Sequence, residues 1–242
     1  TVCRVYDGLL AAHADRGSTV VAIGGGIGAA LVPSLEASGQ FETVWSLGRH
    51  TTPVLDLLDE DSIRTSAQAI QATGLPVRLV LDATGFLHND TWSPEKSWQQ
   101  LDPAHMAHSF AINAIGPALL MKHFLPLLTR EGKTAFVTLS AKVGSIGDNR
   151  LGGWYSYRAS KAALNQLVHT AAIELKRRHP HAVCVALHPG TVDTGLSTPF
   201  AKTGLDVRTP DAAAERLLAV IHHLQPEQSG GFINHDGTEL PW

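Results

Sequence analysis

A run rich in β-branched residues, Thr19 to Ile23, enters Gly24-Gly25-Gly26-Ile27-Gly28, and Ala29, Ala30, Leu31 and Leu35 then begin a helical pattern. Strand, glycine turn and helix in that order restrict the chain strongly. Glycines let the backbone approach an anion closely, and the N-terminus of the following helix attracts it. The same alternation continues. Strand-like runs fall at 42–47, 52–55, 78–83, 134–139, 182–187 and 231–234, with helical patterns at 62–72, 102–130, 156–178 and 210–224. Alternation of this kind predicts α/β architecture: a parallel sheet of about seven strands, helices on both faces and a ligand crevice at the carboxyl ends of the strands. No repeat, linker or low-complexity stretch divides it. The expectation is therefore one doubly wound, Rossmann-type domain over 1–242, combining dinucleotide binding and catalysis, with 1–18 a short amphipathic lead-in anchored by Leu9 and Leu10.

Composition removes several other classes. The 242 residues are 44% hydrophobic and 17% charged with a formal charge of −3, which suits one sizeable core and provides no basic field for nucleic acid or an anionic membrane. The basic run Lys176-Arg177-Arg178 falls where cations complement a helix C-terminus. Cys3 and Cys184 are too few for a disulfide framework, and the thirteen histidines show no ligand spacing, so no metal site is expected. No apolar run approaches the roughly 20 residues of a membrane span, and the opening lacks a charged-then-apolar leader, which predicts a cytoplasmic protein.

Two features point to chemistry. Apolar residues at Leu164, Leu167, Val168, Ala171, Ala172 and Leu175 mark one helix face, placing Tyr157 and Lys161 one turn apart on a common side. An ammonium beside a phenol favours the phenolate and eases proton exchange with a carbonyl or alcohol. A solvated pair has the same spacing, so the pair alone does not identify a reaction. After the second strand comes Gly48-Arg49-His50, with no acid between Val44 and Pro53. NAD enzymes place a carboxylate there for the ribose hydroxyls, whereas an arginine accommodates the extra phosphate of NADP, so Arg49 predicts NADP(H) preference with NAD(H) possible.

The string Tyr157-Arg158-Ala159-Ser160-Lys161-Ala162-Ala163 resembles the active-site helix of the short-chain dehydrogenase/reductase family, in particular its C-factor-like branch, which the loop at Leu87-His88 and Pro94-Glu95-Lys96 also suggests. The resemblance covers roughly residues 19 to 242. It implies Tyr157 as proton donor, Lys161 lowering its pKa and holding the cofactor ribose, and Asn113 interrupting a helix to hold a water that connects the lysine to solvent. His188-Pro189-Gly190-Thr191-Val192-Asp193-Thr194 matches the family's Pro-Gly turn, implying Val192 main chain on the nicotinamide amide and Thr194 near the phosphates. By the same resemblance Asp56-Leu57 touches adenine and Gly85 lets the adenosine lie close. Gly24, Gly26, Ile27 and Gly28 form the phosphate loop, although the first glycine of the family's Gly-x-x-x-Gly-x-Gly falls on Ala22, and Gly24-x-Gly26-x-x-Ala29 instead resembles the older dinucleotide fingerprint.

The largest departure is at the family's catalytic serine, which aligns with Ala141. Ser140 or Ser145 would have to supply a hydroxyl to polarise the carbonyl, and Ser140 is slightly favoured. The resemblance implies a small-molecule carbonyl or alcohol substrate and a homodimer or homotetramer paired through the helices around 102–130 and 157–178. Hydride transfer from NADPH to a ketone or aldehyde is the expected reaction. The alternative is an NADP(H)-binding sensor or signalling protein with vestigial turnover.

Overall fold

The structure, a computed structural model, describes residues 17–196 and 207–242. The lead-in leucines and Cys3 lie outside them. Strands β1 (Thr19–Ile23), β2 (Thr43–Leu47), β3 (Val77–Asp82), β4 (Thr134–Leu139) and β5 (Ala182–His188) alternate with helices, and a short pair, β6 (Thr191–Val192) and β7 (Val207–Arg208), precedes β8 (Phe232–Asn234). Six of the strands make one all-parallel sheet in the order β2-β1-β3-β4-β5-β8, while β6 and β7 pair separately.

Period-2 alternation distributes the strand side chains between two cores. Val20, Ala22, Leu79, Leu81, Val183 and Val185 face α1 (Ile27–Ala37) and α6 (Pro210–His223), where Leu31, Leu35, Leu217 and Ile221 pack. Val21, Ile23, Val80, Phe136 and Cys184 share the opposite core with α2 (Glu60–Gln71), α4 (Gly116–Phe124) and α5 (Tyr155–Lys176), through Ile63, Ile70, Leu120, Phe124, Leu164 and Val168. Each fully buried side chain of this size contributes on the order of 2 kcal/mol, so both faces of the sheet are hydrophobically secured.

One expectation is corrected and one is met. The run at 52–55 is not a strand: it is reduced to one parallel bridge between Gly48 and Val54. Pro53 has no N–H to offer a ladder, and the Thr51 hydroxyl occupies the local partners, accepting from Gly48 N at 2.9 Å and lying 2.7 Å from Pro53 O. The main sheet therefore has six strands rather than seven. The helical stretch over 102–130 is interrupted: α3 (Pro103–Phe110), capped by Asp102 Oδ1 on Ala104 N and His105 N, passes through a π-helical turn at Ala111–Ile115 into α4. By length and composition alone Pro103–Leu127 is apolar enough to cross a membrane; here Leu120, Met121 and Phe124 are buried in the core.

Because β2 and β3 flank β1 on opposite sides, the crossovers leaving β1 and β2 diverge and open a crevice beyond the carboxyl ends of β1 and β3. The glycine run and Ala83-Thr84-Gly85 both lie at that crevice.

Candidate active site

The glycine loop is shaped by close approach. A Cβ on Gly24, whose φ is 109°, would lie 3.0 Å from the Ala83 carbonyl, and one on Gly28 would lie 3.1 Å from Ile23 O. At Gly26, with φ 52°, a Cβ would sit 3.4 Å from Thr194 Cγ2, so the Pro-Gly turn and the glycine loop meet. No side chain caps α1; Gly28 N donates to Gly25 O at 2.9 Å, which leaves the Ile27 and Ala29 N–H groups of the first turn as donors for an anion. Arg49 is exposed just past β2. Asp56 uses Oδ1 to accept from Leu58 N at 3.0 Å, and Leu57 packs against Gly116.

A second group converges beyond β3. A Cβ on Gly85 would lie 3.7 Å from both Asn113 Oδ1 and Lys161 Nζ. Asn113 is wholly buried inside the π turn; its Oδ1 accepts from Phe86 N at 2.7 Å, and its Nδ2 donates to Phe86 O at 2.8 Å and to Ser160 Oγ at 3.0 Å. Ser160 Oγ in turn donates to Tyr157 O at 2.9 Å. The helix interruption expected at Asn113 is present, and it locks that side chain to the loop after β3 and to α5.

Lys161 Nζ donates to Leu139 O at 2.8 Å. Burial lowers its pKa to about 8, opposed by the Asp82 carboxylate. Burial also pushes the Tyr157 phenol above its ordinary value. This corrects the expected direction: desolvation dominates at Tyr157, and the phenol is held protonated at neutral pH.

Ser140 Oγ donates to Asn165 Oδ1 at 2.7 Å, and Ser145 Oγ accepts from Asp148 N at 3.0 Å. Between them Ala141 precedes a short 3-10 turn, Lys142–Gly144, that is seated on α5. A Cβ on Gly144 would lie 2.8 Å from Lys161 Cβ and 3.0 Å from its carbonyl carbon. Gly144→Ala is therefore expected to destabilise the protein by about 1–3 kcal/mol through overpacking, measured as a lower denaturation midpoint.

Gly190, with φ 80°, would place a Cβ 2.7 Å from His235 Cδ2, which fixes the turn after Pro189 against the segment after β8. Val192 is buried in β6. His88 Nε2 lies 2.9 Å from Gly195 O. Two buried acids escape sequence reasoning. Asp82 accepts from Thr84 N, Thr84 Oγ1 and Thr138 Oγ1, and burial raises its pKa. Glu95 accepts from Ser156 at the start of α5. An acid closing the apolar run Leu79-Val80-Leu81 was the available signal for Asp82; Glu95 stood in the loop that resembles the family branch, with nothing local to mark its partner.

A parallel sheet with a glycine cradle at its crossover point, beside a buried tyrosine, lysine and asparagine, defines the dinucleotide-binding oxidoreductase class. A family model described as enoyl-(acyl carrier protein) reductase matches residues 28–220. The chain is 34% identical over 190 residues to 1-hydroxy-2-glutathionyl-2-methyl-3-butene dehydrogenase of Rhodococcus sp., covering 78% of this chain and 79% of that protein. It is 39% identical over 142 residues to C-signal of Myxococcus xanthus, covering 59% of this chain and 81% of that one. Among solved structures, an NADPH-bound carbonyl reductase from chicken fatty liver superposes with a TM-score of 0.81 at 28% identity, over 94% of this chain and all of that one (100%). The chain belongs to the short-chain dehydrogenase/reductase family.

Proposed function

We propose that this protein is an NADP(H)-dependent oxidoreductase that reduces a ketone or aldehyde, with Tyr157 donating the proton. The observation that carries this reading is the convergence of Gly85, Asn113 and Lys161 next to the glycine cradle. The cradle suits a dinucleotide because Gly24 and Gly28 let the loop turn tightly against Ala83 and Ile23 without side chains in the way, and because the α1 N-terminus carries no capping side chain. Gly24, Gly26, Ile27, Gly28 and Thr194 would hold the phosphates, Arg49 the additional phosphate, Asp56, Leu57 and Gly85 the adenosine side, and Pro189, Gly190 and Val192 the nicotinamide. When bound, the cofactor supplies the hydride.

The chain's own residues handle the proton. Burial keeps the Tyr157 phenol protonated, so it is loaded for donation to a forming alkoxide. Lys161 would meet the ribose and steady the phenolate left behind, and Asn113 would hold the reprotonation path at the helix interruption. The substrate is a small carbonyl compound, and self-association through α4 and α5 belongs to the same reading. A second reading, a cofactor-binding sensor with vestigial turnover, is favoured by Ala141 and by the engagement of the Ser140 proton with Asn165.

The deciding experiment measures NADPH oxidation against ketones, aldehydes and diketones alongside NADPH binding by fluorescence. Turnover supports the enzyme; tight binding without turnover across the panel supports the sensor. For Arg49, loss of a charge-assisted phosphate contact is worth roughly 1.5 kcal/mol. Arg49→Ala is expected to reduce the ratio of NADPH to NADH affinity about tenfold. An unchanged ratio by fluorescence titration removes Arg49 from phosphate recognition.

A further inference from the structure

The tyrosine-bearing helix begins without a side-chain cap of its own. Its N-cap is Trp154, in the left-handed conformation with φ 53°, the one non-glycine residue with positive φ among the described residues. Such a backbone costs on the order of 1–2 kcal/mol, and the first-turn N–H groups require acceptors. Both needs are met from one residue lying 61 positions earlier than Ser156. The Glu95 main-chain oxygen accepts from Trp154 N at 2.5 Å, and its carboxylate oxygens accept from Ser156 N at 3.3 and 3.2 Å. Ser156 Oγ also donates to Glu95 Oε1.

The carboxylate is itself held from behind. Glu95 is 2% exposed, and His105 Nδ1 lies 3.4 Å from Oε1. Trp92 stacks on the His105 ring at 5.7 Å and 6°, and Phe86 sets its edge against His105 and His108. Phe86 opens the same loop and grips Asn113 through both its main-chain groups. One loop therefore fastens Asn113 at one end and the first turn of α5 at the other. Arg158 adds hydrogen bonds to the carbonyls of Gly152, Gly153 and Val143.

We propose that Glu95 is a positioning residue for Tyr157: by binding Trp154 and Ser156 it sets where α5 begins, and so the phenol's placement relative to Lys161 and Asn113. The consequence for turnover rests on the oxidoreductase reading above; the grip on the helix does not. A carboxylate at a helix N-terminus is favoured electrostatically, but a bond-for-bond replacement should restore much of its effect if hydrogen bonding sets the register.

The test compares Glu95→Ala, Glu95→Gln and Ser156→Ala. Amide hydrogen exchange over residues 154–158 is measured in the cofactor-free protein, with kcat, KM and NADPH affinity beside it. Glu95→Ala is expected to speed exchange in that turn at least tenfold without changing the second half of α5. It should lower kcat about tenfold with NADPH affinity held within about twofold, and Glu95→Gln should recover most of the loss. Ser156→Ala should weaken the turn less, and its combination with Glu95→Ala should be no worse than Glu95→Ala alone. Unchanged exchange in the first turn overturns the proposal, as does a kcat loss matched by an equal loss of NADPH affinity. Should Glu95→Ala not fold, wild-type exchange over residues 154–158 in Ser156→Ala overturns it equally. A wild type that turns over no carbonyl defeats the oxidoreductase reading, while the exchange measurement still decides the role of Glu95.

Discussion

Tyr157→Phe is expected to lower kcat for carbonyl reduction about a thousandfold while NADPH affinity stays within about twofold, because one general acid typically contributes 10²–10⁴-fold. The change removes only an O–H. The phenyl ring retains the space inside the buried first turn of α5 and the edge contact with Trp154 at 6.2 Å, so the denaturation midpoint should hardly move. Single-turnover reduction and fluorescence titration together separate the outcomes: a loss of binding would assign the tyrosine to the cofactor site rather than to proton transfer. The pH profile carries the same logic. Burial pushes the phenol up and Lys161 down to about 8. With both protonated at neutral pH, kcat should be level there and first fall near pH 8, as Lys161 loses its proton, before the phenol titrates.

The sheet was legible because parallel strands buried on both faces read as nearly continuous apolar runs, which is how 19–23, 134–139 and 182–187 appear. The run at 52–55 is short and carries a proline among its apolar residues, and Thr51 and Pro53 satisfy or remove the groups a ladder would use. Sequence spacing alone paired Tyr157 with Lys161, whereas the expected pKa direction at Tyr157 depended on burial that spacing does not report. Asn113 became legible through the family resemblance, and the π turn gives it a physical form: a widened turn that turns one amide toward the β3 loop and α5. Asp82 and Glu95 stayed hidden because an acid's partners are set by tertiary distance. Thr138 stands 56 residues from Asp82 and Ser156 stands 61 from Glu95, and no local pattern encodes either pairing.

Ala141 poses the sharpest question about rate. Removing one donor to a developing oxyanion costs about 10²–10³-fold in kcat, so with the family's serine position on Ala141, as the resemblance implies, turnover should be slow unless a neighbour substitutes. Ser140 is poorly placed to do so, since its proton goes to Asn165 Oδ1 at 2.7 Å. Ser145 keeps a proton, but its oxygen is held by Asp148 N beyond the 3-10 turn. Ala141 itself is extended, with φ −141° and ψ 140°, and partly exposed, so a hydroxyl added to its Cβ meets no backbone barrier. Ala141→Ser is therefore expected to raise kcat on the order of a hundredfold, with KM and NADPH affinity little changed because the new bond strengthens only as charge develops on the carbonyl oxygen. Steady-state kinetics on the best substrate checks it. An unchanged kcat, joined to a hundredfold loss in Ser145→Ala, would assign the donor to Ser145. A gain from near-zero turnover would instead make Ala141 the residue that slows an otherwise complete site, the arrangement a cofactor sensor would need.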